Sequence, residues 1–380
     1  MRCRVKIETL NQAIQDVSKA ISSKIVIPIL SGIKIDARND GLLVTASDSE
    51  MTIQRFIPKQ SESNEELVQI EEKGSIILPA KVFAELLRKL PGKDVEIETT
   101  AQFQAWIRAK SSEVQLLGYD PEDYPAINQV DDRMAVNLPS DILKMVIKQT
   151  IFASSSVESS GVLTGLLWQW NGKTFTCVAT DRHRLAKREL NLDTITINQQ
   201  MVLPAKTLNE LIKLLPDQNQ LISFICTENQ VLFQWQNAWF YSRVLDGTYP
   251  DTSRIIPNQF KTELELPTSL LRDAIDRASL MSREEKSNVV QLITIDEGTI
   301  EISSNTTELG RVTERIEVNR FEGESLKISF NSKFIMDVLR VIESQNVFIG
   351  FTGAMSPIIV KPMDETNLLH LILPYRTAGR

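Results

Sequence analysis

Histidine and cysteine, which most often carry catalysis or hold a metal, are scarce here: two of the first and three of the second in 380 residues. Cys3, Cys177 and Cys226 are odd in number and far apart, without Cys-x-x-Cys spacing. Neither a disulfide framework nor a zinc site organises this chain, and reduced, buried thiols are expected. No Gly-rich phosphate loop, nucleophile elbow or metal-ligand spacing is present, so no cofactor and no metal are expected. No apolar run approaches the roughly 18 residues that span a bilayer, and no apolar stretch follows Met1-Arg2-Cys3-Arg4-Val5-Lys6. A cytoplasmic protein that does not enter a membrane is the expectation. Asn305-Thr306-Thr307 matches a glycosylation acceptor that carries no weight without a secretion signal.

What is present suits a globular chain. Apolar residues make up 42% and charged residues 24%, enough to bury a core, and the length suits two or three domains of about 100–200 residues each. A net charge of −7 argues against a nucleic-acid partner only if charge is spread evenly.

A repeat accounts for the length. Ile77-Leu78-Pro79-Ala80-Lys81 recurs as Val202-Leu203-Pro204-Ala205-Lys206 and, more weakly, as Ser329-Phe330-Asn331-Ser332-Lys333, a period of about 125 residues. Behind each lysine the apolar spacing is helical: Phe83, Leu86, Leu87 and Leu90 match Leu208, Leu211, Ile212 and Leu215, then Ile335, Val338, Leu339 and Ile342. The charges repeat too, with Glu85, Glu210 and Asp337 in one register and Arg88, Lys213 and Arg340 in another. Alternating or β-branched strands follow each helix, such as Val231-Leu232-Phe233-Gln234-Trp235, and two copies close on Tyr124-Pro125 and Tyr249-Pro250. A second set of helices opens each copy, at residues 10–21, 140–152 and 268–281, with Leu10 and Ile14, Ile142 and Val146, and Leu270 and Ala274 as the expected apolar faces. The fold class is therefore α+β: three tandem copies, each two helices packed on antiparallel sheets, in a row that can close head to tail by dimerising.

The chain resembles the bacterial DNA polymerase III beta subunit, the sliding clamp family, over its whole length. The residues that carry the resemblance are Ile27-Pro28-Ile29-Leu30, Ala179-Thr180-Asp181-Arg182-His183-Arg184-Leu185-Ala186, Tyr249-Pro250-Asp251, Phe351-Thr352-Gly353-Ala354-Met355 and Leu373-Pro374-Tyr375-Arg376. The resemblance implies clamp domains at residues 1–127, 128–254 and 255–380, in a homodimeric ring with sheets outside and twelve helices around duplex DNA. It implies no enzyme but a processivity factor that tethers DNA polymerase III. Its partners would be the polymerase III catalytic subunit, the clamp loader, and other polymerases and repair factors that insert short peptides. The implied DNA-facing residues are Lys24, Lys81, Arg88, Lys144, Lys148, Lys206, Lys213, Arg272, Arg277, Lys333 and Arg340. The implied peptide cleft comprises Leu163, Thr180, Arg182, His183, Arg184, Leu185, Pro250, Arg254, Ile255, Asn331, Phe334, Met355, Leu371, Leu373, Pro374, Tyr375 and Arg376. Leu280 and Met281 would lie at the dimer contact.

Rival readings stand beside these. Helical lysines and arginines can be a solvated face, the aliphatic cleft members plain core, and Leu280-Met281 the end of an amphipathic helix. The segment Val157, Ser159, Ser160, Gly161, Val162 is neutral where the family presents polar or aromatic groups to DNA, and Ser287 and Tyr375 also depart from it. These departures leave open an accessory clamp, or a clamp-like peptide-binding scaffold that is not loaded on DNA. A hydrolase centred on His183 with Asp181 is the remaining alternative.

Overall fold

The computed structural model describes residues 1–22, 27–127, 135–192, 197–217, 219–284, 288–296, 298–306 and 310–376. Six α-helices are found among them: α1 Ile7–Val17, α2 Ala80–Lys89, α3 Ser140–Thr150, α4 Ala205–Leu214, α5 Thr268–Glu284 and α6 Ser332–Val341. The lysine-led helices are α2, α4 and α6. Each follows a strand directly, and in the first two a proline at the strand's end, Pro79 or Pro204, has no N–H to give a further ladder bond. Phe83 and Leu87, Leu208 and Leu211, and Ile335, Val338 and Leu339 are buried, the faces that the spacing predicts.

The opening helices differ from expectation in detail. α1 begins at Ile7 and ends at Val17, where the Ser18 hydroxyl donates to the Ile14 carbonyl at 2.6 Å and a short 3-10 turn takes over. α3 ends at Thr150, whose hydroxyl turns back to the Val146 carbonyl. In α5 one of the two expected apolar positions holds and one does not: Ala274 is buried, but Leu270 is 51% exposed and Leu271, 1% exposed, packs with Ala274 and Ile275 in its place. Two adjacent leucines fit either phase of the helix, and only packing against the sheet chooses between them.

The chain forms two compact units, Met1–Leu143 with Lys206–Val244, and Lys144–Ala205 with Leu245–Arg380. In the first, a five-stranded sheet runs in the order Val68–Glu72, Arg2–Lys6, Asp94–Thr99, Gln104–Ala109, Ser112–Leu117. An eight-stranded sheet runs Val136–Pro139, Leu221–Cys226, Gln230–Trp235, Ala238–Arg243, Met51–Pro58, Gly41–Ser47, Gly32–Ala37, Gly74–Pro79. α1 packs on α2 and on the strand Met51–Pro58.

The second unit has a nine-stranded sheet: Ile197–Pro204, Gly165–Gly172, Thr174–Thr180, Arg184–Asn191, Leu368–Ile372, Ile358–Pro362, Asn346–Phe351, Thr262–Pro267, Arg320–Gly323. Its other sheet runs Gly310–Glu317, Thr299–Thr306, Val289–Thr294, Lys327–Asn331, with α5 packed on it and on α6. Both large sheets cross from one sequence repeat into the next. Trp239 faces Gln54 and Tyr241 faces Thr52 at one crossing, and Leu185 faces Leu371 at the other.

The three cysteines are free, Cys3 and Cys177 buried and Cys226 half-buried. Burial pushes each thiol up to about 12, which keeps it protonated and unreactive.

Candidate DNA-facing helices and peptide cleft

Lys81, Lys206 and Lys333 are each the second residue of their helix, and each is exposed. No acidic residue stands in the first turn of these helices. A cation there opposes the helix macrodipole, at a cost of about 0.3–1 kcal/mol, so local stability does not account for the lysine in three places. Exposed N–H groups and an ammonium at a helix N-terminus are suited to an anion such as phosphate. Lys81 and Lys333 make no ion pair among the described residues, while Lys206 Nζ lies 3.2 Å from Asp48 Oδ2 and 3.9 Å from Glu50 Oε2.

At the other ends of these helices Arg88, Lys213 and Arg340 are exposed where the macrodipole welcomes them. Arg88 Nε donates to the Ala84 carbonyl at 3.2 Å, Lys213 pairs with Glu210 at 2.7 Å, and Arg340 lies 3.5 Å from Asp337. On the opening helices Lys148 is exposed in the last turn of α3, and Lys144 is half-buried and engaged. Arg272 lies 3.6 Å from Asp273. Arg277 donates twice to Glu314, at 3.0 and 2.8 Å, and that hydrogen bonding holds the Glu314 carboxyl below its usual range. Lys24 lies outside the described residues.

The implied cleft residues gather in the second unit, where the strands Arg184–Asn191 and Leu368–Ile372 meet. Leu163, Leu185 and Leu371 join Val178, Val202, Tyr249 and Ile359 in one apolar cluster, each under a tenth exposed. They form a floor rather than walls. The Thr180 N–H donates to Tyr249 Oη at 3.1 Å, which pins the Tyr-Pro segment to that floor, and burial pushes the phenol up. The hairpin beside it is tight: Arg182 has φ 77°, and Asp181 Oδ1 accepts from the backbone N–H of His183 and Arg184 at 2.9 and 3.0 Å.

Arg184 is the hub of this site. Its guanidinium meets Asp181 at 3.0 Å and Asp337 at 2.6 Å, and lies 4.6 Å from the Phe334 ring centroid and 5.5 Å from that of Phe152. The His183 ring stacks on Phe334, with centroids 6.4 Å apart. The Leu373 N–H donates to the His183 carbonyl at 2.9 Å and the Tyr375 N–H to the Ser329 carbonyl at 2.7 Å, which places the Leu373-Pro374-Tyr375 rim. Leu373 is 38% and Tyr375 51% exposed, so apolar side chains stand open beside a cation and a histidine. Asn331 caps α6 by accepting from the Lys333 N–H at 2.9 Å.

Other implied residues are not joined to this group by a hydrogen bond, ion pair or ring contact among the described residues. Arg254 and Ile255 sit exposed on a 3-10 turn, with Arg254 paired to Asp251 at 3.4 Å. Pro250, Met355 and Arg376 are exposed, and Leu280 and Met281 lie near the end of α5 with Leu280 55% exposed. Phe152, Asp337, Tyr249 and Ile359 belong to the site and were missed as members of it. The repeating acid at Asp337 was a usable signal; nothing local marks Phe152. The hydrolase alternative finds no dyad. Both Asp181 oxygens are taken by backbone N–H groups and Arg184, and the His183 ring lies against Phe334.

Family models for the DNA polymerase III beta subunit match end to end: the N-terminal domain at residues 1–128, the central domain at 137–251 and the C-terminal domain at 253–376. The chain belongs to the DNA polymerase III beta subunit family. A beta sliding clamp of Bacillus subtilis is 44% identical over 378 residues, 99% of this chain and 100% of that relative. One from Staphylococcus aureus is 43% identical over 377 residues, again 99% and 100%. The crystal structure of the Bacillus subtilis DNA polymerase sliding clamp matches with a TM-score of 0.97 at 44% identity, covering 99% of each chain. That of a Streptococcus pneumoniae DNA polymerase III beta chain matches at 0.95 and 33% identity, covering 99% of this chain and 100% of that one. As a beta subunit the chain is three clamp domains of helices on antiparallel sheets. No helix among its described residues is long and apolar enough to cross a membrane.

Proposed function

We propose that this beta subunit is a DNA sliding clamp: a homodimeric ring that encircles duplex DNA and confers processivity on DNA polymerase III by tethering it. The observation that carries the reading is the exposed lysine at the second position of α2, α4 and α6, repeated against the helix macrodipole. Phosphate attraction of this kind ignores base sequence, weakens with salt and permits sliding. Lys81, Lys206 and Lys333, supported by Arg88, Lys213 and Arg340, face the DNA. Lys144, Lys148, Arg272 and Arg277 add less, the two arginines being neutralised by neighbouring acids. The ring closes by pairing the first domain of one protomer with the third of its partner, beside Leu280 and Met281. The domains divide near residues 127 and 254.

The Arg184 cleft receives short peptides of the polymerase, the clamp loader and repair factors. Leu373 and Tyr375 grip an apolar side chain, and His183 and Arg184 hold a backbone carbonyl or carboxylate. The protein works in the cytoplasm as a processivity factor and catalyses nothing itself.

The test is retention on DNA. Loaded onto a nicked circle, the dimer should stay until the circle is linearised and then leave by the ends; equal retention on linear and circular DNA would sink the reading. A peptide-binding scaffold that is not loaded is the second reading, favoured by the ion-paired state of Lys206 and the neutral segment 157–162. Loader-dependent stimulation of polymerase processivity excludes it.

A further inference from the structure

The repeat places a second basin on the first compact unit, at the register that the cleft occupies on the other. In the nine-stranded sheet one row of cross-strand neighbours reads Val202, Leu167, Val178, Lys187, Leu369. The next row on the same face reads Thr180, Leu185, Leu371, Ile359. In the eight-stranded sheet the matching rows read Ile77, Lys34, Thr45, Gln54, Trp239 and Ser47, Thr52, Tyr241, Leu232. Tyr124 packs with Leu30 and Ile77 just as Tyr249 packs with Leu163 and Val202.

Lys34, Thr45, Gln54, Trp239, Tyr241 and Leu232 of these rows, together with residues of the segment 121–127, line a basin of about 900 Å³. That is within the range of sites that enclose a ligand or a peptide anchor. Its lining is more polar than the cleft floor: Lys34 and Thr45 stand where the second unit has Leu167 and Val178, and the broader Trp239 stands where it has Leu369.

The polar groups divide into those already used and those left open. Lys34 is held in the wall, 3.8 Å from Asp36, 3.4 Å from the Pro121 carbonyl and 5.9 Å from the Tyr124 ring centroid, and Asp36 also accepts from Ser75. Gln54 Nε2 donates to Thr45 Oγ1 at 3.1 Å, which leaves its carbonyl oxygen open. Gln234, opposite Trp239 in the ladder, is half-buried and its side-chain amide makes no hydrogen bond among the described residues. Arg38, just past the strand Gly32–Ala37, and Glu122 on the segment are exposed charges that make no ion pair among the described residues. A half-buried amide without a partner and two open charges of opposite sign, around a Trp-Tyr shelf, ask for a polar ligand with an aromatic or aliphatic centre.

We infer that this basin is a second peptide site. It takes an extended segment whose aromatic or long aliphatic side chain lies across Trp239 and Tyr241. Gln54 and Gln234 pair with its backbone amides, and an acidic and a basic residue of the segment meet Arg38 and Glu122. The choice of a peptide rests on the reading of the Arg184 cleft as a peptide site; the basin and its open groups do not.

The experiment uses a display library of random decapeptides, selected on the full-length chain carrying Leu373→Ala and Tyr375→Ala to weaken the cleft. Selected peptides are then titrated by fluorescence polarisation against that chain and against versions with Arg38→Glu or Trp239→Ala added. The expected result is peptides with an aromatic centre and flanking charges of both signs, bound at least tenfold more weakly after either change. Arg38 is exposed, so Arg38→Glu leaves folding intact even if Trp239→Ala does not, and circular dichroism checks both. No enriched peptide, or peptides indifferent to Arg38→Glu, overturns the proposal. Failure of the cleft reading shows separately: no peptide selected on the unaltered chain loses affinity after Leu373→Ala and Tyr375→Ala, while Arg38→Glu still weakens those that bind the basin.

Discussion

The lysine-led helices α2, α4 and α6 and the opening helices α1 and α5 use positive charge in opposite ways. On the lysine-led set the first cation sits where the helix end repels it, and on α2 and α6 it makes no ion pair among the described residues. On α5 Arg272 and Arg277 each have an acid within reach, and the exposed face of α1 offers Glu8, Gln12 and Gln15 with no cation. Counting basic residues would rank α5, with three, above α4, with two. Position relative to the helix dipole and pairing with neighbours separate them.

The largest expected effect breaks this contrast outright. Changing Lys81, Lys206 and Lys333 together to Glu should weaken binding to circular DNA on the order of 100-fold or more at low salt, and make the plot of log affinity against log salt shallower by about 5 if all six lysines of the dimer meet phosphates. An unchanged slope would mean that these lysines meet no phosphates. Next, Phe334→Ala removes the ring under Arg184 and His183, and should weaken peptide binding by roughly tenfold while leaving the DNA salt slope alone. Calorimetry with a cleft peptide, beside the same salt titration, checks whether the two faces of α6 are separable.

A smaller effect sharpens the contrast within the lysine-led set. Asp48→Asn should release Lys206 and tighten DNA binding by up to about threefold, the scale of an ion pair whose lysine is open to solvent. If binding weakens, Asp48 is orienting the lysine rather than restraining it. The smallest effect concerns the opening helices: Arg277→Gln should leave the DNA salt slope unchanged within error, because Glu314 already neutralises that arginine. A slope change as large as that of Lys81→Gln would erase the distinction.

Much of this could be read from residue order. The lysine, the apolar positions behind it and the trailing cations recur at helical spacing, so three copies show themselves without any structure. The phase of α5 could not be read, since Leu270 and Leu271 are both leucine and burial alone tells them apart. The hub of the cleft was equally hidden. Arg184 and Asp337 are 153 positions apart, and an arginine carries no mark of which carboxylate it will meet. Nor does any local pattern announce that the strand Met51–Pro58 will pair with Ala238–Arg243, because an edge strand looks the same in sequence whether or not a neighbour covers it.

That pairing has a mechanical consequence. At the two places where one repeat gives way to the next, the connection is a ladder of backbone hydrogen bonds within a single sheet, Ala238–Arg243 on Met51–Pro58 and Arg184–Asn191 on Leu368–Ile372. A force that slides one repeat along the strand direction past its neighbour loads those bonds in shear, all together rather than one after another. The seams between repeats are therefore stiff joints.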